Sequence, residues 1–181
     1  MILCAGRNET FEFAKPIGVG LVESASTLTQ LILEEKPAFL FFVGTAGSYG
    51  HYKPFDIVYS HKASNIELGF LEHQCYTPLD SLIEINTSNV SRGTNSETIV
   101  NSSNYITTDM TLAQKMLSQN IELENMEFFS VLSIAKKFNL SCSGLFVVTN
   151  YCNKDAHTDF MTNHARAKEL IILHVNNSIR I

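Results

Sequence analysis

A chain of 181 residues with 45% hydrophobic content can bury one substantial core but hardly two, so a single domain is expected. Thirteen basic residues against eighteen acidic ones leave a formal net charge of −5, and Lys154 and Lys168 are not clustered with other cations, which argues against nucleic acid as a partner. Cys4, Cys75, Cys142 and Cys152 form no CxxC pair and the six histidines show no HExxH spacing, so free, buried or semi-buried thiols and no metal are expected. The apolar start at residues 1–6 is too short for a signal sequence, and no run approaches the roughly 18 apolar residues that span a bilayer, so a cytoplasmic protein with no membrane partner is expected.

In chain order, strand-like and helix-like segments alternate, the pattern that builds a largely parallel sheet with helices on its faces. Residues 1–5 and 17–22 read as short strands. Residues 23–36 carry apolar positions at 25, 28, 31 and 32, with Glu23 early and Lys36 late, and predict an amphipathic helix stopped by Pro37. The apolar run Ala38-Phe39-Leu40-Phe41-Phe42-Val43 reads as a central strand feeding a glycine-rich turn over residues 44–50. That strand-to-turn junction is the first candidate location for a site. Residues 56–60 alternate as a strand, residues 66–71 read as a strand able to pair with it, and residues 79–85 are ambiguous. Residues 86–97, rich in Asn, Ser and Thr, read as a surface loop before a short strand at 98–100. Helices are predicted over 111–119 and 126–138, a buried strand over 142–149, and a closing helix over 158–178.

Several short segments taken together are similar to the purine nucleoside phosphorylase and nucleosidase superfamily. They are Gly18-Val19-Gly20, Lys36-Pro37, Val43-Gly44-Thr45-Ala46-Gly47 and Asp56-Ile57-Val58, which come in the family's order and near its spacing. Downstream, Glu124-Asn125-Met126-Glu127 resembles the ribose-binding motif ending in Met-Glu, and Phe146-Val147-Val148-Thr149-Asn150 resembles the strand that ends at the purine-binding Asp or Asn. The resemblance implies a three-layer α/β/α sandwich around a twisted mixed sheet, assembled as a homo-oligomer, with a purine nucleoside as its small-molecule partner. The chain is shorter than most members.

The chemistry implied is cleavage of a ribosyl–purine bond through an oxocarbenium-like sugar. By the resemblance, Glu127 accepts hydrogen bonds from the 2′ and 3′ hydroxyls and Met126 packs on the sugar; a solvated acid at a helix start is the alternative for Glu127, and a core position for Met126. Asn150 would hold the base. By the resemblance, an Asn here can donate and accept against N7 and O6 but cannot act as a general acid, so a 6-oxopurine is expected. Tyr105, in Ser102-Ser103-Asn104-Tyr105, resembles the aromatic that stacks on the base.

The third requirement is a nucleophile. The phosphorylases carry an arginine just before the glycine-rich turn, where this chain has Phe41-Phe42-Val43. Phosphate as co-substrate would then rest on Arg7, on the backbone of Gly44 to Gly47 and on Thr45. Hydrolysis needs instead a carboxylate to take a proton from water, for which Glu9 and Glu12, after the first strand, are the candidates. Two functions stay open at this point: a purine nucleoside phosphorylase or nucleosidase of nucleoside metabolism, working in purine salvage, or a catalytically degenerate nucleoside-binding or oligomer-partner protein of the same fold. Asp155-Ala156-His157, after Asn150, could line the pocket or be a plain loop, and the loop is the expectation. Gly18-x-Gly20 lacks the third glycine of a dinucleotide fingerprint, so no cofactor is expected.

Overall fold

The apolar run that begins at Phe39 does not stop at its first glycine. In the computed structural model, which describes residues 1–85 and 98–178, it continues as a ten-residue strand, β3, Phe39–Ser48. The glycine-rich turn expected over 44–50 is therefore mostly strand. Its backbone is engaged on both edges: the strand Ser141–Tyr151 runs parallel to it along its whole length, and the strand Ile121–Glu124 pairs antiparallel with Gly47 and Ser48. Gly47 is required by close approach, since a Cβ there would lie 3.1 Å from the Glu124 side chain and 3.2 Å from the Asn150 amide. The loop expected over 86–97 lies outside the described residues.

Among the described residues nine strands form one sheet. In chain order the elements are β1 Ile2–Cys4, β2 Lys15–Pro16, α1 Leu21–Glu35, β3, β4 Ile57–Ser60, β5 Lys62–Ser64, α2 Leu68–Leu71, β6 Leu82–Glu84, β7 Ile99–Asn101, α3 Met110–Ser118, β8 Ile121–Glu124, α4 Phe128–Lys137, β9 Ser141–Tyr151 and α5 Ala156–Ser178. β3 is the branch point. One edge carries β9 and, beyond it, antiparallel β4; the other carries parallel β1 near its start and antiparallel β8 near its end, from which β7, β5 and β6 continue. The ends of β3 and β8 thus meet at Gly47 and Glu124, and the sheet opens there into a fork.

Alternation along β3 and β9 sorts side chains between two helical layers. Leu40, Phe42 and Phe146 face α1 and α4, where they pack with Leu28, Ile32, Phe128 and Leu132. Phe41, Val43, Leu145 and Val147 face α5, against Ala167, Ile171 and Val175. This is the three-layer α/β/α architecture expected.

Phe42, Phe128 and Phe146 form a triangle with centroids 5.0 to 6.0 Å apart, and the space they fill is vacated by Gly144. A Cβ there would come within 2.7 Å of ring atoms of both Phe128 and Phe146. Gly144→Ala should therefore cost about 1–3 kcal/mol by overpacking, read as a lower urea midpoint at unchanged slope; an unchanged midpoint would show that the triangle yields freely.

Other expectations need correction. Residues 17–22 are not a strand. Ile17 and Gly18 donate to Cys4 and Ala5 just past β1, then the chain turns through positive φ at Gly18 (94°) and Gly20 (83°) into α1. Residues 66–71 contain a single helical turn, α2, and not a strand partner for β4; β4 pairs with β9 instead. The ambiguous 79–85 resolves as β6, while β5 and β8 were not anticipated. The helix expected from 126 begins at Phe128, which leaves Met126 and Glu127 outside its first turn. Cys4, Cys142 and Cys152 are buried free thiols, but Cys75 is exposed. No helix among the described residues is long and apolar enough to cross a membrane.

Candidate functional site

A cavity of about 490 Å³ sits at the fork, lined by the segments that leave or end β1, β3, β7, β8 and β9. This is where an open α/β sheet characteristically binds small molecules. Arg7 and Glu9 enter from the loop after β1, Thr45 and Gly47 from β3, and Tyr105 from the loop after β7. Met126 and Glu127 enter after β8, and Asn150 from the end of β9. Glu12 and Gly44 do not line it.

The difference between Glu9 and Glu12 is made by one tight turn. Gly6 and Glu9 exchange both backbone hydrogen bonds, at 3.2 and 2.9 Å, with Gly6 at φ 98° and Arg7 at φ 53°. The chain doubles back and Glu9 comes into the cavity wall, while Phe11 is buried toward α5 and Glu12 is left exposed. Only 9% of Glu9 is accessible. Its carboxylate accepts from the Thr45 hydroxyl and, at 3.2 Å, from the Thr45 backbone N–H. Gly44 serves this contact from behind the wall: a Cβ there would stand 3.1 Å from Glu9 Oε2.

Glu127 is 3% accessible and sits at the N-cap of α4, yet its side chain caps nothing. Asn125 takes that duty, its Oδ1 accepting from the backbone N–H of both Glu127 and Phe128 at 3.0 Å. The Glu127 carboxylate is thereby released to the cavity, where Oε1 accepts from the Gly20 N–H at 2.9 Å. Burial pushes its pKa up from 4.5 to about 7; the Gly20 N–H works against that rise and the charge of Glu9 adds to it.

Asn150 ends its strand with its amide partly engaged. Nδ2 donates to the Tyr151 carbonyl at 3.1 Å and Oδ1 accepts from the Thr149 hydroxyl at 2.8 Å, which leaves one N–H and one lone pair. Tyr105 lies on a loop anchored by Asn104, whose Oδ1 accepts from the Leu21 N–H, and by Thr107, whose N–H donates to Glu124. Tyr105 is nonetheless 81% exposed while lining the cavity. Arg7 also points outward: its side chain is 74% exposed and its guanidinium lies 3.7 Å from Glu23.

Three wall residues were missed or discounted by sequence reasoning. Glu124, in the sequence only the first member of the motif that ends in Met-Glu, lines the cavity and holds Thr107 and the Tyr49 hydroxyl, at 3.1 Å each. Burial raises its pKa, opposed by the bonds from Thr107 and Tyr49. His157, expected as loop with a pocket-lining position as the alternative, and Phe160, expected only as a helix-face residue, both reach the cavity from the first turns of α5. The signal that could have found them is their position just past the strand that ends at Asn150. Among the described residues no three His, Cys, Asp or Glu side chains are grouped to hold a metal ion.

A mixed, forked sheet between two helical layers, with a cavity across its strand ends, defines the class as an α/β protein of nucleoside phosphorylase and nucleosidase architecture. Residues 13–180 match the phosphorylase superfamily, and the chain belongs to that superfamily. Among solved structures its fold is similar to that of Helicobacter pylori 5′-methylthioadenosine/S-adenosyl homocysteine nucleosidase, with a TM-score of 0.80 and 17% identity over 97% of this chain and 95% of that one. A mutant of Helicobacter pylori futalosine hydrolase gives 0.79 at 17% identity, over 97% and 95%. The 5′-methylthioadenosine/S-adenosylhomocysteine nucleosidase of S. pneumoniae, bound to a transition-state inhibitor, gives 0.77 at 13% identity, over 95% and 94%. At these identities the likeness is one of fold. No curated protein matches the sequence significantly.

Proposed function

We propose that this protein cleaves the N-glycosidic bond of a purine nucleoside with water as acceptor. The observation that carries the reading is the pair of buried carboxylates, Glu9 and Glu127, on opposite branches of the fork and opening on one cavity. Cleavage through an oxocarbenium-like sugar makes two demands that carboxylates meet: a base for the attacking water and an acceptor for the ribose hydroxyls. Glu9 takes the water proton as oxygen adds to the anomeric carbon and the C–N bond breaks. Glu127 receives the 2′ and 3′ hydroxyls, with Met126 against the sugar. The bonding electrons leave with the purine, whose N7 or O6 accepts from the remaining Asn150 N–H, and the base is reprotonated by Glu9 or solvent.

The choice of water over phosphate rests on charge. The Thr45 hydroxyl and N–H, expected to serve a phosphate, are taken by Glu9, and a phosphate beside that carboxylate would be repelled. Arg7 is turned toward Glu23. A 6-oxopurine is the preferred base because Asn150 donates but cannot protonate N7. Fold neighbours named for an adenine nucleoside make both base classes part of the test.

The test incubates purified protein with inosine, guanosine, adenosine and 5′-methylthioadenosine, each with and without phosphate, and follows free base by chromatography. The expected result is release at rates unaffected by phosphate, fastest with a 6-oxopurine. Strictly phosphate-dependent release would make this a phosphorylase using Arg7. No release from folded protein would leave a binding-only member of the superfamily.

A further inference from the structure

Behind Glu9, on the side of α5 and outside the cavity lining, lies a histidine that the chemistry above leaves unused. The His164 side chain is 14% exposed, and its Nε2 is buried with no hydrogen-bond partner among the described residues, 3.8 Å from Glu9 Oε1. One turn further along α5, Lys168 donates to the carbonyl of Asn8 at 2.9 Å. Residues four apart on a helix share a face, so His164 and Lys168 together address the turn that carries Glu9. The imidazole packs against the ring of Phe160, centroids 4.8 Å apart, and Phe160 lines the cavity.

We propose that His164 is a positioning residue for Glu9: its Nε2–H supplies a third hydrogen bond to the carboxylate, beside the two from Thr45, and aims the carboxylate at the attacking water. The role rests on Glu9 being the base. A buried ring nitrogen without a partner is costly to maintain, and closing 3.8 Å to hydrogen-bond distance takes a shift of about 1 Å, on the scale of side-chain settling when a cavity fills. The neutral imidazole is the form that can do this without neutralising the base. Burial, joined by Lys168 on the same helix, lowers the imidazole pKa from 6.5, against the opposing pull of Glu9. The other titratable groups near Glu9 are Glu127 at the N-cap of α4 and, on β1, the Cys4 thiol, which burial keeps protonated.

The test pairs two substitutions with a titration. His164→Leu removes the donor and keeps an apolar filler, while His164→Gln places an amide nitrogen near the Nε2 position. Expected are a fall in kcat of about tenfold or more for His164→Leu, the scale on which a misplaced group costs rate, with KM within about twofold and Tm no lower than wild type. His164→Gln should recover most of the rate. Equal losses in both variants, or none in His164→Leu, would overturn the role. Independently of turnover, the imidazole NMR titration of His164, assigned by its absence in His164→Leu, should move to lower pH in Glu9→Gln because the carboxylate charge that raises it is gone. An unmoved titration refutes the contact. A moved titration in a protein that releases no base from any nucleoside keeps the contact and removes its catalytic role, which is failure of the function and not of the geometry.

Discussion

Glu9→Gln should lower turnover by about 10²–10⁴-fold, the range over which a positioned general base accelerates proton transfer, while the protein stays folded. The amide keeps one oxygen for Thr45. Where the carboxylate accepted from both the Thr45 hydroxyl and its N–H, the amide accepts one of them and the hydroxyl rotates to receive the new donor. Stability should therefore change little, and nucleoside affinity should hold or improve, because removing the Glu9 charge also relieves Glu127. Single-turnover base release together with a melting curve checks this. A variant retaining more than a tenth of the wild-type rate would exclude Glu9 as the base and leave the water to be activated elsewhere.

Glu127→Gln should separate activity from stability in opposite directions. A carboxylate whose pKa rises on folding binds protons more tightly when folded, so its stabilising contribution is present at low pH and lost as pH rises. For Glu127 the window runs from 4.5 to about 7. At about 1.4 kcal/mol per pH unit, the buried charge costs the wild type about 3 kcal/mol above that window. The glutamine variant, which can still accept from Gly20, should match wild type near pH 4.5 and exceed it by about 1–3 kcal/mol at pH 8 in urea denaturation. Its kcat/KM should fall about 10- to 100-fold through loss of charge-assisted bonds to the ribose. The rise of wild-type kcat/KM through pH 7 should flatten as well. A variant less stable than wild type at pH 8 would mean that the Glu127 charge is compensated by a partner on bound solvent.

The parts of this molecule that could be read from its sequence are those where one physical signal dominates. The run Phe39 to Val43 is apolar on both faces because two helical layers bury it, and α1 shows its stripe at Leu28 and Ile32. Continuation of β3 through Gly44–Ser48 was hidden because glycine signals a turn when only neighbours in sequence are considered. Here glycine admits Glu9, Glu124 and Asn150 from distant segments. β8 gives no strand signal for a related reason: Glu122 and Glu124 flank Leu123 with charge, yet Glu124 is buried by contacts to Tyr49 and Thr107. In the site, the Met-Glu and strand-end motifs carried Glu127 and Asn150 into the cavity wall. Glu9 and Glu12 were indistinguishable because the discriminating feature is a left-handed backbone at Gly6 and Arg7 that no side-chain pattern announces. Phe160 and His157 reach the cavity only through where α5 starts.

Asn125 has a consequence for anyone who would move this chemistry to another scaffold. Its Oδ1 fixes the start of α4 beneath Glu127, and its Nδ2 donates at 3.1 Å to the carbonyl of Thr45, the residue whose hydroxyl and N–H hold Glu9. The two carboxylates are thus gauged against a common reference, one strand residue and one amide, beside the contacts each makes separately, Glu127 with the Gly20 N–H and Glu9 through its turn with Gly6. Transplanting Glu9 and Glu127 alone would carry the carboxylates without the ruler; a portable unit has to include Thr45 and Asn125 as well.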